Sequence, residues 1–179
     1  MTTAMRQALG RRLWAAQCRL VTSYKGLRLG GIGSNCTIYA SVRIYGNRQV
    51  CLGDRVTLND FVHIWGAGGV AIGSGTIIAA GSVITSQTHD LDALQKGILY
   101  RETLVLAPVV IGKNVWIGSG AIVLPGVRIG DNSVIGAGAI VTRDVPNDVL
   151  AIGTPARTAR RLNNDINTPS EQGDNFLAK

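Results

Sequence analysis

An aliphatic residue returns at every sixth position through most of this chain. Ile32, Ile38 and Ile44 form one run, Leu52, Leu58 and Ile64 a second, and Ile72, Ile78 and Ile84 a third. A fourth runs through Ile111, Ile117, Val123, Ile129, Ile135 and Val141. Glycine often follows the aliphatic, and four places after it stands a small or β-branched residue, as at Cys36, Val56, Thr76, Ser82, Val115 and Ser133. A period of six fits neither a 3.6-residue helix nor simple two-residue alternation. It fits a short strand followed by a turn. Three such units make an 18-residue triangular coil, and stacked coils bury the aliphatic columns while their strands pair from coil to coil. Glycine and asparagine tolerate the positive φ of tight corners, as in Gly130-Asp131-Asn132. The expected fold is an all-β solenoid, a parallel β-helix of hexapeptide repeats over residues 31–155.

The breaks in the period are informative. From Ile44 to Leu52 and from Ile64 to Ile72 the step is eight, which predicts two extra residues at a corner. From Ile84 to Ile111 the period is lost, which predicts an external loop over about 90–110. Loops carried by a rigid scaffold commonly hold function. Leu91 to Leu106 is rich in apolar residues for a free loop, so it is expected to pack against a neighbouring subunit and wall a pocket, or else to form a local satellite core.

The flanks differ from the repeat. Residues 1–30 form a basic segment, with Ala4, Ala8, Leu9, Leu13, Ala16 and Leu20 at helical spacing among arginines, which predicts an amphipathic helix capping the first coil. Residues 156–179 are expected to form a short helix around Ala156–Leu162, followed by a polar, flexible tail. Of the net charge of +7, eight basic residues precede Asp54 with no acidic residue among them, so the remaining chain nets about −1. This places a positive field at one end, suited to a solvated helix face or to peripheral contact with an anionic membrane surface. No aromatic-interleaved basic surface points to nucleic acid. No stretch is long and apolar enough to predict a membrane span, and arginines interrupt any signal-like segment. Cys18, Cys36 and Cys51 lack metal or redox spacing, and read as reduced thiols of a cytoplasmic protein.

The blocks Ile111-Gly-Lys-Asn-Val-Trp-Ile-Gly-Ser119, Pro125 to Gly138, Val141-Thr-Arg-Asp-Val-Pro146 and Gly153-Thr-Pro-Ala-Arg157 resemble the hexapeptide-repeat acetyltransferases of the maltose, galactoside and nodulation type. The resemblance covers about residues 50–162. It implies a left-handed β-helix, a homotrimer with active sites between subunits, and acetyl-CoA as cosubstrate with no metal required. The acidic helical leader of the sugar acetyltransferases is replaced here by the basic segment, as in acetyltransferases of bacterial polysaccharide synthesis. The implied reaction is O-acetylation of a sugar or glycan precursor.

Acetyl transfer to a hydroxyl needs a base, an oxyanion donor and a groove for CoA. The chain has two histidines, His63 and His89. His89 stands at the root of the external loop, where the family places its catalytic base, and His63 reads as a surface or packing residue. Asp90, Asp92 and Glu102 are alternative orienters of the imidazole. By the same resemblance Asn59, thirty residues before His89, binds the acceptor. Trp116, Ser119, Ala137, Thr142, Arg143, Arg157 and Arg160 bind CoA. Trp116 is assigned to the pantetheine arm, the Ser119 amide to the oxyanion, and the arginines to phosphates. No cysteine is placed for an acyl-enzyme, so direct attack is expected.

Three other functions are built on related β-solenoids. An N-acetyltransferase of an amino-sugar nucleotide, or a xenobiotic acetyltransferase, shares the scaffold. A γ-type carbonic anhydrase needs three histidines for zinc, more than this chain contains. A non-enzymatic β-solenoid would have no use for His89, Asn59 and Trp116 together.

Overall fold

The hexads wind as their spacing requires. The computed structural model describes residues 3–162. They form a parallel β-solenoid of about six turns, preceded by one helix. Face A stacks Gly31–Ile32, Val50–Leu52, Val70–Ile72, Val109–Ile111 and Arg128–Ile129. Face B stacks Thr37–Ile38, Thr57–Leu58, Ile77–Ile78, Trp116–Ile117, Val134–Ile135 and Val149–Gly153. Face C stacks Arg43–Tyr45, His63–Trp65, Val83–Thr85, Ile122–Val123 and Ile140–Val141. Pairing follows the period. Ile117 meets Ile135 and Val123 meets Val141 where the hexads are regular, whereas Ile38 meets Leu58 and Leu58 meets Ile78 where a coil carries two extra residues.

Both two-residue insertions lie at the corner between faces C and A. One forms the tight turn Asn47–Gln49 after the left-handed Gly46, and the other lies within 66–69. The long excursion leaves the same corner one coil further on, between Val83–Thr85 and Val109–Ile111. One edge of the prism therefore takes up every irregularity of length, and faces B and C keep their register.

The predicted columns form the core. From Leu52 to Val141 every hexad aliphatic is 4% exposed or less, each burial contributing about 1.5–3 kcal/mol. Ile32 is 37% exposed and Ile44 half-buried, because they border the open first coil. The small residues four places on turn inward at the corners. Buried Thr76 donates to the Gly112 carbonyl at 2.9 Å and accepts the Val115 N–H at 3.1 Å, and buried Ser82 donates to the Gly118 carbonyl at 3.0 Å. These hydroxyls satisfy corner backbone that cannot join a ladder. Gly118 is required by closeness, since a Cβ there would lie 2.5 Å from the Ala137 nitrogen of the next coil.

The helix spans Thr3–Gly26 and docks on the first coil, as expected, but by a different side. The expected stripe includes Leu13 and Leu20, which are 63% and 73% exposed. The docked side instead carries Cys18, Val21, Thr22 and Lys25. Thr22 Oγ1 accepts the Ile38 N–H at 2.8 Å, and Lys25 Nζ donates to the carbonyls of Tyr39, Ala40 and Val42 at 3.0, 2.8 and 2.7 Å. The reason is that an open coil presents unpaired backbone, and polar side chains satisfy it better than leucine does.

The expected C-terminal helix around Ala156–Leu162 is corrected. Ala156–Arg161 is a strand, antiparallel to Val149–Gly153, with Leu150 opposite Arg160 and Ile152 opposite Arg157. The last coil leaves an open strand edge, and the returning chain satisfies it as a helix would not. Residues 156–161 thus belong to the solenoid and not to a segment beginning at 156. The polar tail expected after Asn163 lies outside the described residues. The external loop also begins earlier than residue 90, because Gln87–Thr88 already pairs with Val105–Leu106 as its neck.

Candidate active site

The paired neck of the loop fixes His89. The imidazole is exposed, and its Nδ1 is hydrogen-bonded to the backbone carbonyl of Thr103. A carbonyl only accepts, so Nδ1 carries the proton and Nε2 holds a free lone pair. Thr103 is itself tied down. Its hydroxyl accepts the Asp90 N–H at 3.1 Å and donates to the Tyr100 carbonyl at 2.9 Å.

Two of the carboxylates expected to orient the ring, Asp90 and Glu102, do other work. Asp90 Oδ2 pairs with Lys96 at 2.6 Å and its Oδ1 accepts the Asp92 N–H at 2.9 Å. The Lys96 ammonium, and then the Asp92 amide, hold the Asp90 carboxyl below its usual range. Glu102 accepts the Leu99 N–H at 3.4 Å. The orienter is a main-chain carbonyl, a group that no motif reveals.

His89 lines a cleft of about 400 Å³ with Trp65, Val83, Thr85 and Leu104. Trp65 stacks on Tyr45 with ring centroids 4.3 Å apart and planes at 19°. Sequence reasoning missed both aromatics. Their spacing equals one coil at that height, and this was the available signal. His63 is half-buried on face C between Arg43 and Val83, in the packing position expected. A larger depression of about 780 Å³, bordered by Leu27, Gly30 and Gln49, contains no group able to act as a base near neutrality.

The other predicted residues divide between two edges. Trp116 faces outward on face B between Ile77 and Val134 and is 55% exposed. Asn59, Ser119 and Ala137 lie at the corner between faces B and C. Asn59 donates its N–H to the Ile78 carbonyl at 3.0 Å, and Gly138 donates to the Ser119 carbonyl at 2.9 Å. Among the described residues no group accepts the Ser119 N–H. Arg157 and Arg160 extend face B on the final strand, both exposed. Thr142 and Arg143 lie at the C–A corner, the edge that also carries the His89 loop. One chain therefore keeps Asn59 and Ser119 apart from His89, with face C between them. Six residues of strand make that separation roughly 20 Å.

No cluster of three His, Cys, Asp or Glu able to hold a metal occurs among the described residues, and no described helix is long and apolar enough to cross a membrane.

Comparison with known proteins supplies the family. The family model "Bacterial transferase hexapeptide (six repeats)" matches residues 108–143, and "Hexapeptide repeat of succinyl-transferase" matches residues 63–86. The chain is similar to WbbJ of Escherichia coli K12, whose name assigns it provisionally to lipopolysaccharide O-acetylation. They are 31% identical over 172 residues, covering 90% of this chain and 88% of that one. It is 42% identical over 130 residues to Nodulation protein L of Rhizobium meliloti, covering 72% and 69% of the two chains. The hexapeptide-repeat acetyltransferase VCA0836 of Vibrio cholerae, solved with acetyl coenzyme A, matches with a TM-score of 0.74 at 28% identity, over 79% of this chain and 75% of that one. With the coil geometry, these likenesses show that the chain belongs to the hexapeptide-repeat acetyltransferases, the family of the left-handed β-helix.

Proposed function

We propose that the protein transfers the acetyl group of acetyl-CoA to a hydroxyl of a sugar or glycan precursor, with sites shared between copies of a homotrimer. His89 Nε2 takes the hydroxyl proton as the oxygen attacks the thioester carbonyl. The Ser119 N–H donates to the oxyanion, and the CoA thiolate leaves and receives the proton from the imidazolium. Asn59 holds the acceptor hydroxyl. Trp116 lies along the pantetheine arm, with Ala137 and Thr142 as backbone contacts. Arg143, Arg157 and Arg160 meet the phosphates. The observation that carries this reading is the bond from His89 Nδ1 to Thr103, which leaves a basic nitrogen at a cleft. The names of the relatives and the acetyl coenzyme A of the Vibrio structure support the acceptor class and the donor.

The divided site supports the trimer that the resemblance implies. A copy that turns face C inward brings its B–C corner to the C–A corner of the next copy, so Asn59 and Ser119 of one chain meet His89 of another. Face C carries outward Tyr45, Trp65, Val83, Ile122 and Ile140, with Arg43 and His63 at its open end. The outward apolar side chains of the loop, Leu91, Leu99 and Leu104, suit the same contact. A CoA-release assay over sugars, nucleotide sugars, glycans and amines tests the reaction. Turnover on amines alone would replace this reading with N-acetylation.

The protein works in the cytoplasm at the inner face of the membrane. Leu13, Leu20, Tyr24 and Leu27 form one exposed stripe on and just beyond the helix, flanked by exposed Arg12, Arg19 and Arg28. An apolar stripe edged by arginine is the pattern of a helix lying on an anionic lipid surface.

A further inference from the structure

Phe61 holds a backbone conformation that its side chain disfavours. Its φ is +59° at the B–C corner of the second coil, where the next three coils place Gly81, Gly120 and Gly138 at +73°, +68° and +68°. In this region Cβ crowds the following carbonyl, and a bulky residue there is an outlier. The side chain recovers little packing from the fold, being 67% exposed. A Cβ built at Gly120 or Gly138 meets no heavy atom within 4 Å, so this column points off the prism into open space. The turn is instead held by its neighbours. Ser41 Oγ accepts the Phe61 N–H at 2.9 Å and donates to Asp60 Oδ1, and the Gly81 N–H reaches the Asp60 carbonyl at 3.0 Å. Strain that adds little to packing, and that neighbouring coils over-determine, marks a functional position.

We propose that Phe61 is an acceptor-positioning residue, an aromatic platform on which a pyranose ring of the acceptor stacks. This rests on the reading above that the acceptor is a sugar whose hydroxyl Asn59 holds. Asn59 lies two residues earlier in the same turn. The C–H face of a pyranose is apolar and weakly positive, and it packs on the negative face of an aromatic ring. The rim hydroxyls of the sugar need polar partners, and Asn59 and Asp60 stand beside Phe61 in the same turn. Asp60 also borders a cleft of about 180 Å³ with Tyr39 and Val21.

The test uses Phe61→Asn, because asparagine occupies the same left-handed region at Asn35, Asn114 and Asn132, and Phe61→Tyr as the conservative variant. Acetyl transfer to methyl pyranosides and short oligosaccharides is followed by release of free CoA. For the acceptor that the unaltered protein uses best, Phe61→Asn raises KM about 10-fold, the loss expected for one ring stack. KM for acetyl-CoA and the mass by light scattering stay unchanged, the thermal midpoint is equal or higher as strain is relieved, and Phe61→Tyr keeps the original KM. An unchanged acceptor KM in Phe61→Asn overturns the proposal, as does an equal rise in both KM values. A lower midpoint with loss of assembly also overturns it, by making Phe61 a subunit contact. An unaltered protein that acetylates no pyranoside overturns the sugar reading and this proposal with it, and that result appears before any variant is made.

Discussion

His89 donates Nδ1–H to the carbonyl of Thr103, fourteen residues further along the chain and across the neck of the loop. That single bond selects the tautomer and anchors the base to the loop. His89→Ala should lower kcat about 10²–10⁴-fold, the usual contribution of a general base, with acetyl-CoA binding retained. Thr103→Val keeps the carbonyl but removes the hydroxyl that holds the Asp90 amide, and it should lower kcat several-fold with KM for acetyl-CoA unchanged. Steady-state kinetics decide both. Near-normal turnover in His89→Ala would mean that another group takes the proton.

A site divided between copies predicts complementation. Asn59→Ala and His89→Ala should each be nearly inactive on the acceptor. Co-refolded or co-expressed, they should regain part of the activity, because some sites then combine an intact Asn59 with an intact His89 from the next chain. Light scattering should give three chains per particle. A mixture as inactive as its parts, or an active monomer, would remove the shared site.

Lys25 should matter to stability more than its place at a helix end suggests. It bonds three carbonyls at the B–C corner of the first coil, and burial followed by the nearby Arg43 charge lowers its pKa. Lys25→Met leaves those carbonyls with a thioether in place of a donor. It should cost about 2–3 kcal/mol, since charge-assisted hydrogen bonds are worth more than neutral ones. Thermal melting checks this, and a midpoint within one degree of the unaltered protein's would show that water replaces the ammonium freely.

The helix stripe makes a membrane prediction. The protein should sediment with vesicles containing anionic lipid at low salt and be released at high salt, each arginine near the surface contributing about 1 kcal/mol. Leu13→Ser with Leu20→Ser should weaken binding at low salt. Equal partition to neutral and anionic vesicles, or none at low salt, would leave the helix only its role in closing the coil.

The prism was legible in the sequence because its period is enforced residue by residue. Each aliphatic from Leu52 onward that the spacing places inside is inside. The ends were less legible, because they answer to unpaired backbone rather than to a period. Leu13 and Leu20 marked the helix's apolar side, yet Thr22 and Lys25 dock it, and Ala156–Arg161 followed the open edge beside Val149–Gly153 into a strand. Of the site, the family resemblance pointed to His89, Trp116 and Ser119, and His89 lines a cleft, but main-chain oxygens such as that of Thr103 leave no trace in residue identity. The separation of Asn59 from His89 emerges only once corners are assigned.

The collection of every insertion at the C–A edge has a consequence for how such a chain can change. Coils with two extra residues there pair with their neighbours in the same phase as coils without them. Length can be added or removed between Gly66 and Gly69 without moving a core column, much as a hem is let out without recutting the cloth. The other two edges carry no insertion, since every step from face A to face B and from face B to face C is six residues. Innovation in this scaffold therefore has one permitted direction, outward from the edge that carries the base.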